Sequence, residues 1–120
     1  MRNQPKYHFF KNTIYALKGV KDIVLNESSF RIELAIVILL LPILLVLELE
    51  TIQKLLMFTT LFGVLIAEAI NSAIERVTDL VTLEHHEMAG RAKDAGSAVV
   101  FLSIAVAVVV WSICLYNLFW

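Results

Sequence analysis

Leu65-Ile66-Ala67-Glu68-Ala69-Ile70-Asn71-Ser72-Ala73-Ile74-Glu75-Arg76-Val77-Thr78-Asp79 sets acidic and amide groups into an otherwise apolar helical stretch. At about 100° per residue, with Glu68 at zero, Asn71, Ser72, Glu75 and Asp79 point near roughly −60°, +40°, −20° and +20°. These side chains therefore share one narrow stripe with Glu68. A carboxylate inside a membrane span costs about 2.5–3.5 kcal/mol even on insertion scales, so it marks a functional site by default.

The rest of the chain makes a membrane setting the natural one. Of its 120 residues 59% are hydrophobic, and the mean hydropathy is +0.79. Soluble domains are about 45–50% apolar. Three helices of about 20 residues consume most of the length, which predicts one all-α membrane domain over residues 1–120 and leaves no room for a separate soluble one. The formal charge of −1 is uninformative, because the charges are segregated along the sequence. A single cysteine, Cys114, excludes an intrachain disulfide and a Cys-based zinc site, and reads as a packing or lipid-facing residue. No cleavable signal peptide is apparent, so the spans are expected to stay in the mature protein.

Residues 5–25 alternate apolar and basic groups at helical spacing: Tyr7, Phe10, Ile14, Leu17 and Val24 against Lys11, Lys18 and Lys21. This predicts an N-terminal amphipathic helix, lying on the membrane surface or packed on protein, and in so small a chain both can hold. The spans fall at about 30–48, 53–81 and 95–118. Pro42 is expected to kink the first, since it removes a backbone donor. Residues 82–94 read as a polar, charged loop, and Trp111, Tyr116 and Trp120 suit the distal interface.

Orientation follows from the basic residues. Arg2, Lys6, Lys11, Lys18, Lys21, Arg31, Arg76, Arg91 and Lys93 lie on one side and Lys54 on the other. The positive-inside rule puts the N-terminus and the 82–94 loop in the cytoplasm and the C-terminus outside. Counted from Leu55 at 1.5 Å per residue, Glu68 lies about 20 Å and Glu75 about 30 Å along the span. The stripe thus climbs from lipid at Glu68, through the boundary at Glu75, to water at Asp79. A reaction joining a lipid to a soluble reagent needs its groups there.

Clustered carboxylates with hydroxyl and amide neighbours suit hard cations such as Mg²⁺. Glu75, at the wet end, is the best ligand on the helix, and Glu27, just before the first span, offers a second carboxylate at the same depth. Lys93 and Arg91 can bind phosphate oxygens. Acidic groups for metal and basic groups for phosphate are the minimal equipment of phosphoryl transfer, although the G-x-x-x-x-G-K-[ST] loop is absent.

Each residue also has a plainer reading. Glu75 and Asp79 can be solvated helix-end groups pairing with Arg76 or Arg91. His85-His86 resembles a metal pair, but neighbours on a helix point about 100° apart, which favours a nucleotide contact or a surface role. Gly90, Ala92, Ala95, Gly96, Ser97 and Ala98 are small enough for close helix packing. Three spans cannot surround a stripe of five polar groups and also hide their other faces from lipid, so an oligomer burying it at an interface is the simplest solution.

The run Glu68-Ala69-Ile70-Asn71-Ser72-Ala73-Ile74-Glu75, continuing to Asp79, resembles the signature of the small bacterial integral-membrane diacylglycerol kinases. Gly90-Arg91-Ala92-Lys93-Asp94-Ala95-Gly96-Ser97-Ala98 is similar to that family's second block, and Leu17-Lys18-Gly19, Asn26-Glu27 and Phe30-Arg31 fall at the expected places. The resemblance implies a homotrimeric inner-membrane kinase that moves the γ-phosphate of MgATP to the hydroxyl of diacylglycerol, giving phosphatidic acid. It implies Glu68 as general base, with Glu27 and Glu75 as ligands of the metal on the ATP phosphates. Tyr15, Glu84, His85, His86, Lys93 and Asp94 would contact the nucleotide, and Asn71 and Asp79 would support the site. Arg31, Ser97, Trp111 and the surface helix would hold the lipid. The sequence departs from the family where His8 replaces an arginine of the phosphate or lipid region, an imidazole in place of a permanent cation, and where Ile32 replaces a glutamine.

A related polyprenol kinase, acting on undecaprenol, is the first alternative. Both substrates present a hydroxyl at the membrane surface. The Gly90–Ala98 block is closer to the diacylglycerol branch, while Ala67-Glu68 is also common in the other. A non-enzymatic cation-binding or transport protein is the second. It predicts polar groups across the whole bilayer, whereas the outer half of the second span offers only Thr59 and Thr60.

Overall fold

A computed structural model describes residues 6–120 and contains four α-helices: α1 Phe9–Asn26, α2 Ser28–Val46, α3 Thr51–Val81 and α4 Glu87–Phe119. No strand occurs among the described residues. The expected all-helical architecture holds, and α2, α3 and α4 are each long and apolar enough to cross a membrane. Met1–Pro5, including Arg2 of the orientation argument, lie outside the described residues.

Length decides what sits where. At 1.5 Å per residue the 19 residues of α2 span about 28 Å, close to a bilayer's hydrocarbon core of about 30 Å. The 31 residues of α3 and 33 of α4 span about 46 and 50 Å. Because only Leu47–Glu50 joins α2 to α3, the surplus length falls at the other end, where α3 finishes and α4 begins. The wet half of the stripe lies on that surplus.

The break between α1 and α2 is one extended residue, Glu27, at φ −114° and ψ 108°. Arg31 closes the elbow: its Nη1 donates to the carbonyls of Val24 (3.0 Å) and Leu25 (2.8 Å). A cation is favourable at those unpaired carbonyls of a helix C-terminus. At the opposite end, Glu50 and Gln53 form a reciprocal capping box that starts α3. Lys54 Nζ reaches the Leu45 carbonyl at 3.1 Å. α2 runs through Pro42 without interruption.

The segment read as a loop over 82–94 is non-helical only over Thr82–His86, and Glu87 opens α4. His86 Nδ1 accepts the Met88 N–H at 3.1 Å, Glu87 sits in the first turn, and Ala89 and Ala92 follow. An N-terminal cap, an acid against the helix dipole and strong helix formers outweigh the polarity that suggested a loop.

Packing forms two small cores. Phe30, Val37, Leu61 and Leu65 make one, with Ile23 and Val24 of α1 resting on it. Leu44, Met57 and Cys114 make the other, and Met57 is wholly buried. Cys114 thus takes its packing reading. Along its earlier turns α1 leaves Phe10, Ile14 and Leu17 exposed, so one chain does not cover its apolar side chains.

Candidate active site

On α3 the stripe is graded as its depth requires. Glu68 and Ser72 are buried, at 6% and 5% exposure, Asn71 and Glu75 are half-buried, and Asp79 is exposed. A single chain therefore covers the deep end without a partner, more than the sequence led us to expect of three spans. Asn71 Nδ2 donates to Glu75 Oε1 at 3.2 Å, which fixes the amide so that its Oδ1 turns inward. That oxygen is buried and has no hydrogen-bond partner among the described residues. An unsatisfied buried acceptor is rare and calls for an explanation, and here it faces Gly96 of α4.

A Cβ at Gly96 would collide with Asn71 Oδ1, while one at Gly90 would meet open space. The small-residue block thus acts at Gly96, where α4 comes close enough to wall in the amide. We expect Gly96→Ala to push the Asn71 amide aside and lose its bond to Glu75, about 1 kcal/mol, read as an unfolding midpoint in detergent micelles below that of Gly90→Ala. Gly90→Ala should raise the midpoint slightly, since alanine is about 0.5–1 kcal/mol better than glycine inside a helix and meets open space there, and equal midpoints for the two variants would refute the Asn71 contact.

Glu75, Glu33 and Glu27 all lie near enough to act electrostatically on Glu68. Helices α2 and α3 and the elbow residue between α1 and α2 therefore bring carboxylates to one region. In the sequence Glu33 only interrupts the first apolar run, although a lone carboxylate inside an apolar span is the same signal that singles out Glu68. It borders a groove of about 340 Å³ that runs between α2, α3 and α4 past Val64 to Trp111. Trp111 is tied to α3 rather than left for an interfacial partner: its Nε1–H donates to Thr60 Oγ1 at 3.0 Å and the Met57 carbonyl at 3.3 Å.

Glu27, at the elbow, meets α3 through Arg76. The Arg76 Nε and Nη2 donate to Glu27 Oε1 at 3.0 and 2.9 Å, and its Nη1 pairs with Asp22. The guanidinium holds the Asp22 carboxyl below its ordinary range. Arg76 was read only as a possible partner of Glu75 or Asp79. Asp79 instead pairs with Lys93 Nζ at 2.7 Å, joining the end of α3 to the start of α4.

Beside that pair, Glu84, His85, His86 and Lys93 line a concavity of about 260 Å³ together with Gly90. The structure thus gathers four of the residues assigned to the nucleotide. It does not gather the nucleotide candidates His8 and Tyr15, exposed on or beside α1, or Asp94, exposed on α4; Ser97, assigned to the lipid, and Arg91, read as a phosphate binder, are exposed on α4 as well. Arg31 is committed to the α1 carbonyls, as described above. His85 and His86 lie in the non-helical connection, and no three His, Cys, Asp or Glu side chains converge as a metal cage among the described residues.

The fold and these groups define a multi-pass membrane protein whose polar chemistry sits where α3 and α4 leave the apolar zone. The chain belongs to the prokaryotic diacylglycerol kinase family, which it matches over residues 14–115. It is 42% identical to a diacylglycerol kinase of Escherichia coli, over 88% of this chain and 86% of that one. A diacylglycerol kinase of Haemophilus influenzae is 38% identical, over 87% and 88% of the two chains. An undecaprenol kinase of Bacillus subtilis is 29% identical, over 85% and 83%.

Proposed function

We propose that this chain phosphorylates the hydroxyl of diacylglycerol with ATP, giving phosphatidic acid, at the cytoplasmic face of the bacterial inner membrane. The observation that carries the reading is Glu68, a carboxylate buried on the apolar part of α3 and one to two turns below the polar groups Asn71 and Glu75. The lipid hydroxyl arrives from the bilayer side and ATP from the concavity lined by Glu84, His85, His86 and Lys93.

The reaction is an in-line displacement at the γ-phosphorus. The alcohol oxygen forms the new P–O bond, Glu68 accepts its proton, and the bond to the ADP oxygen breaks. Lys93 clamps phosphate oxygens and exchanges its Asp79 contact for them, while Asp94, Tyr15 and His8 complete the nucleotide contacts. Glu33, Ser97, Arg31 and Trp111 lie on the lipid side, and α1 rests its exposed Phe10, Ile14 and Leu17 on the membrane surface.

Oxygen donors of Glu27 and Glu75 fit Mg²⁺, which is held by one or two carboxylates together with substrate phosphates and needs no preformed cage. When bound there, Mg²⁺ would supply charge neutralisation on the phosphates. A homotrimer would cover polar groups that one chain leaves exposed, Asp94 and Ser97 among them, while the apolar side of α4 with Phe101, Leu102, Val108 and Val109 can face lipid. The basic residues put the N-terminus in the cytoplasm and the C-terminus in the periplasm.

A labelled-ATP assay in mixed micelles offering diacylglycerol and undecaprenol side by side tests the reading. Labelled phosphatidic acid is the expected product. Labelled undecaprenyl phosphate alone would move the chain to the polyprenol branch, and no product from either lipid would end the kinase reading. A cation path is disfavoured by the outer half of α3, where the Thr59 hydroxyl bonds the Leu55 carbonyl and the Thr60 hydroxyl bonds the Met57 carbonyl.

A further inference from the structure

Glu27 is the single extended residue between two helices, so no helix of its own fixes the direction of its flexible side chain. Arg76 does so from across the fold. Both of its contacts to Glu27 fall on Oε1, which leaves Oε2 available to a cation. The guanidinium is itself held by Asp22, and Asp22 is held by Asn26 Nδ2 at 2.7 Å. A relay therefore runs from the last turn of α1 through Asp22 and Arg76 to Glu27. Arg76 is also the sequence neighbour of Glu75, about 100° away on the same helix. The helix that carries one carboxylate thus aims the other.

We propose that Arg76 is a positioning residue that orients Glu27 through Oε1 and presents Oε2 to a divalent cation, an inference resting on the reading of Glu27 as a metal ligand. A planar guanidinium can engage two carboxylates at fixed angles, which a lysine cannot do. Asp22 shares the guanidinium, so the charge of Arg76 is not spent on Glu27 alone. Exposed ion pairs contribute little to stability, and the value of this one lies in direction.

The test is Mn²⁺ binding, followed by electron paramagnetic resonance, to the full chain in mixed micelles with a non-hydrolysable ATP analogue. Glu27→Gln sets the scale for losing the ligand. Arg76→Ala should weaken Mn²⁺ binding about 10-fold, the usual order for a group that orients a metal ligand. Arg76→Lys, which keeps the charge and guards against a folding defect, should recover part of that loss. The double variant should bind no more weakly than Glu27→Gln alone, because Arg76 acts through Glu27. Unchanged Mn²⁺ binding in Arg76→Ala beside a clear loss in Glu27→Gln would overturn the proposal alone, and tighter binding would make Arg76 a competitor of the cation. Unchanged binding in Glu27→Gln would overturn the ligand reading and this proposal with it.

Discussion

Glu68→Gln is expected to lower turnover by about 10²–10⁴-fold, the range a positioned general base contributes, with normal membrane insertion and assembly. The substitution keeps the size of a side chain that is 6% exposed, and an uncharged amide is cheaper to bury than a carboxylate. Folding is therefore not the step at risk. What disappears is the acceptor for the hydroxyl proton, at the only buried carboxylate among the described residues. The measurement is kcat in mixed micelles at saturating ATP, magnesium and lipid, with KM values alongside. A fall in kcat with near-constant KM supports the base, because the lost interaction belongs to the transition state. Near-normal kcat would remove Glu68 from that role, and Glu33, at the head of the neighbouring groove, would be the next carboxylate to examine.

Helical periodicity and the cost of burying charge made much of this legible in the sequence. The four helices and the stripe follow from them directly, since each depends on neighbours along one helix. The start of α4 was misplaced because polarity was weighed above the His86 cap and the Glu87–Ala92 helix formers. Tertiary partners were harder to foresee. Arg76 reaches 54 residues back to Asp22, and no local pattern announces a pair so distant. The Asn71–Gly96 contact joins two blocks that the sequence marks separately, but only the packing of α3 on α4 reveals that one small residue accommodates one amide. Tyr15, His8, Asp94 and Ser97 are each exposed on their own helix or cap, so packing within one chain does not bring them together with the rest.

Glu75→Gln separates metal binding from base catalysis at the same stripe. A glutamine preserves the oxygen that accepts from Asn71 Nδ2, so the amide can stay where it is, and only the charge is lost. If Glu75 holds Mg²⁺, activity at ordinary magnesium should fall on the order of 100-fold, as expected when a carboxylate ligand of a catalytic ion is neutralised. The defect should then shrink as magnesium is raised, because weakened binding yields to mass action. The Glu68 variant offers the contrast: a missing proton acceptor is not restored by more cation, so its defect should stay constant across the same titration. Asp79→Asn should do less than either, since Asp79 is exposed and its partner Lys93 remains free to meet phosphate. A Glu75→Gln enzyme with an unchanged magnesium requirement would show that the Glu75 charge serves something other than the metal.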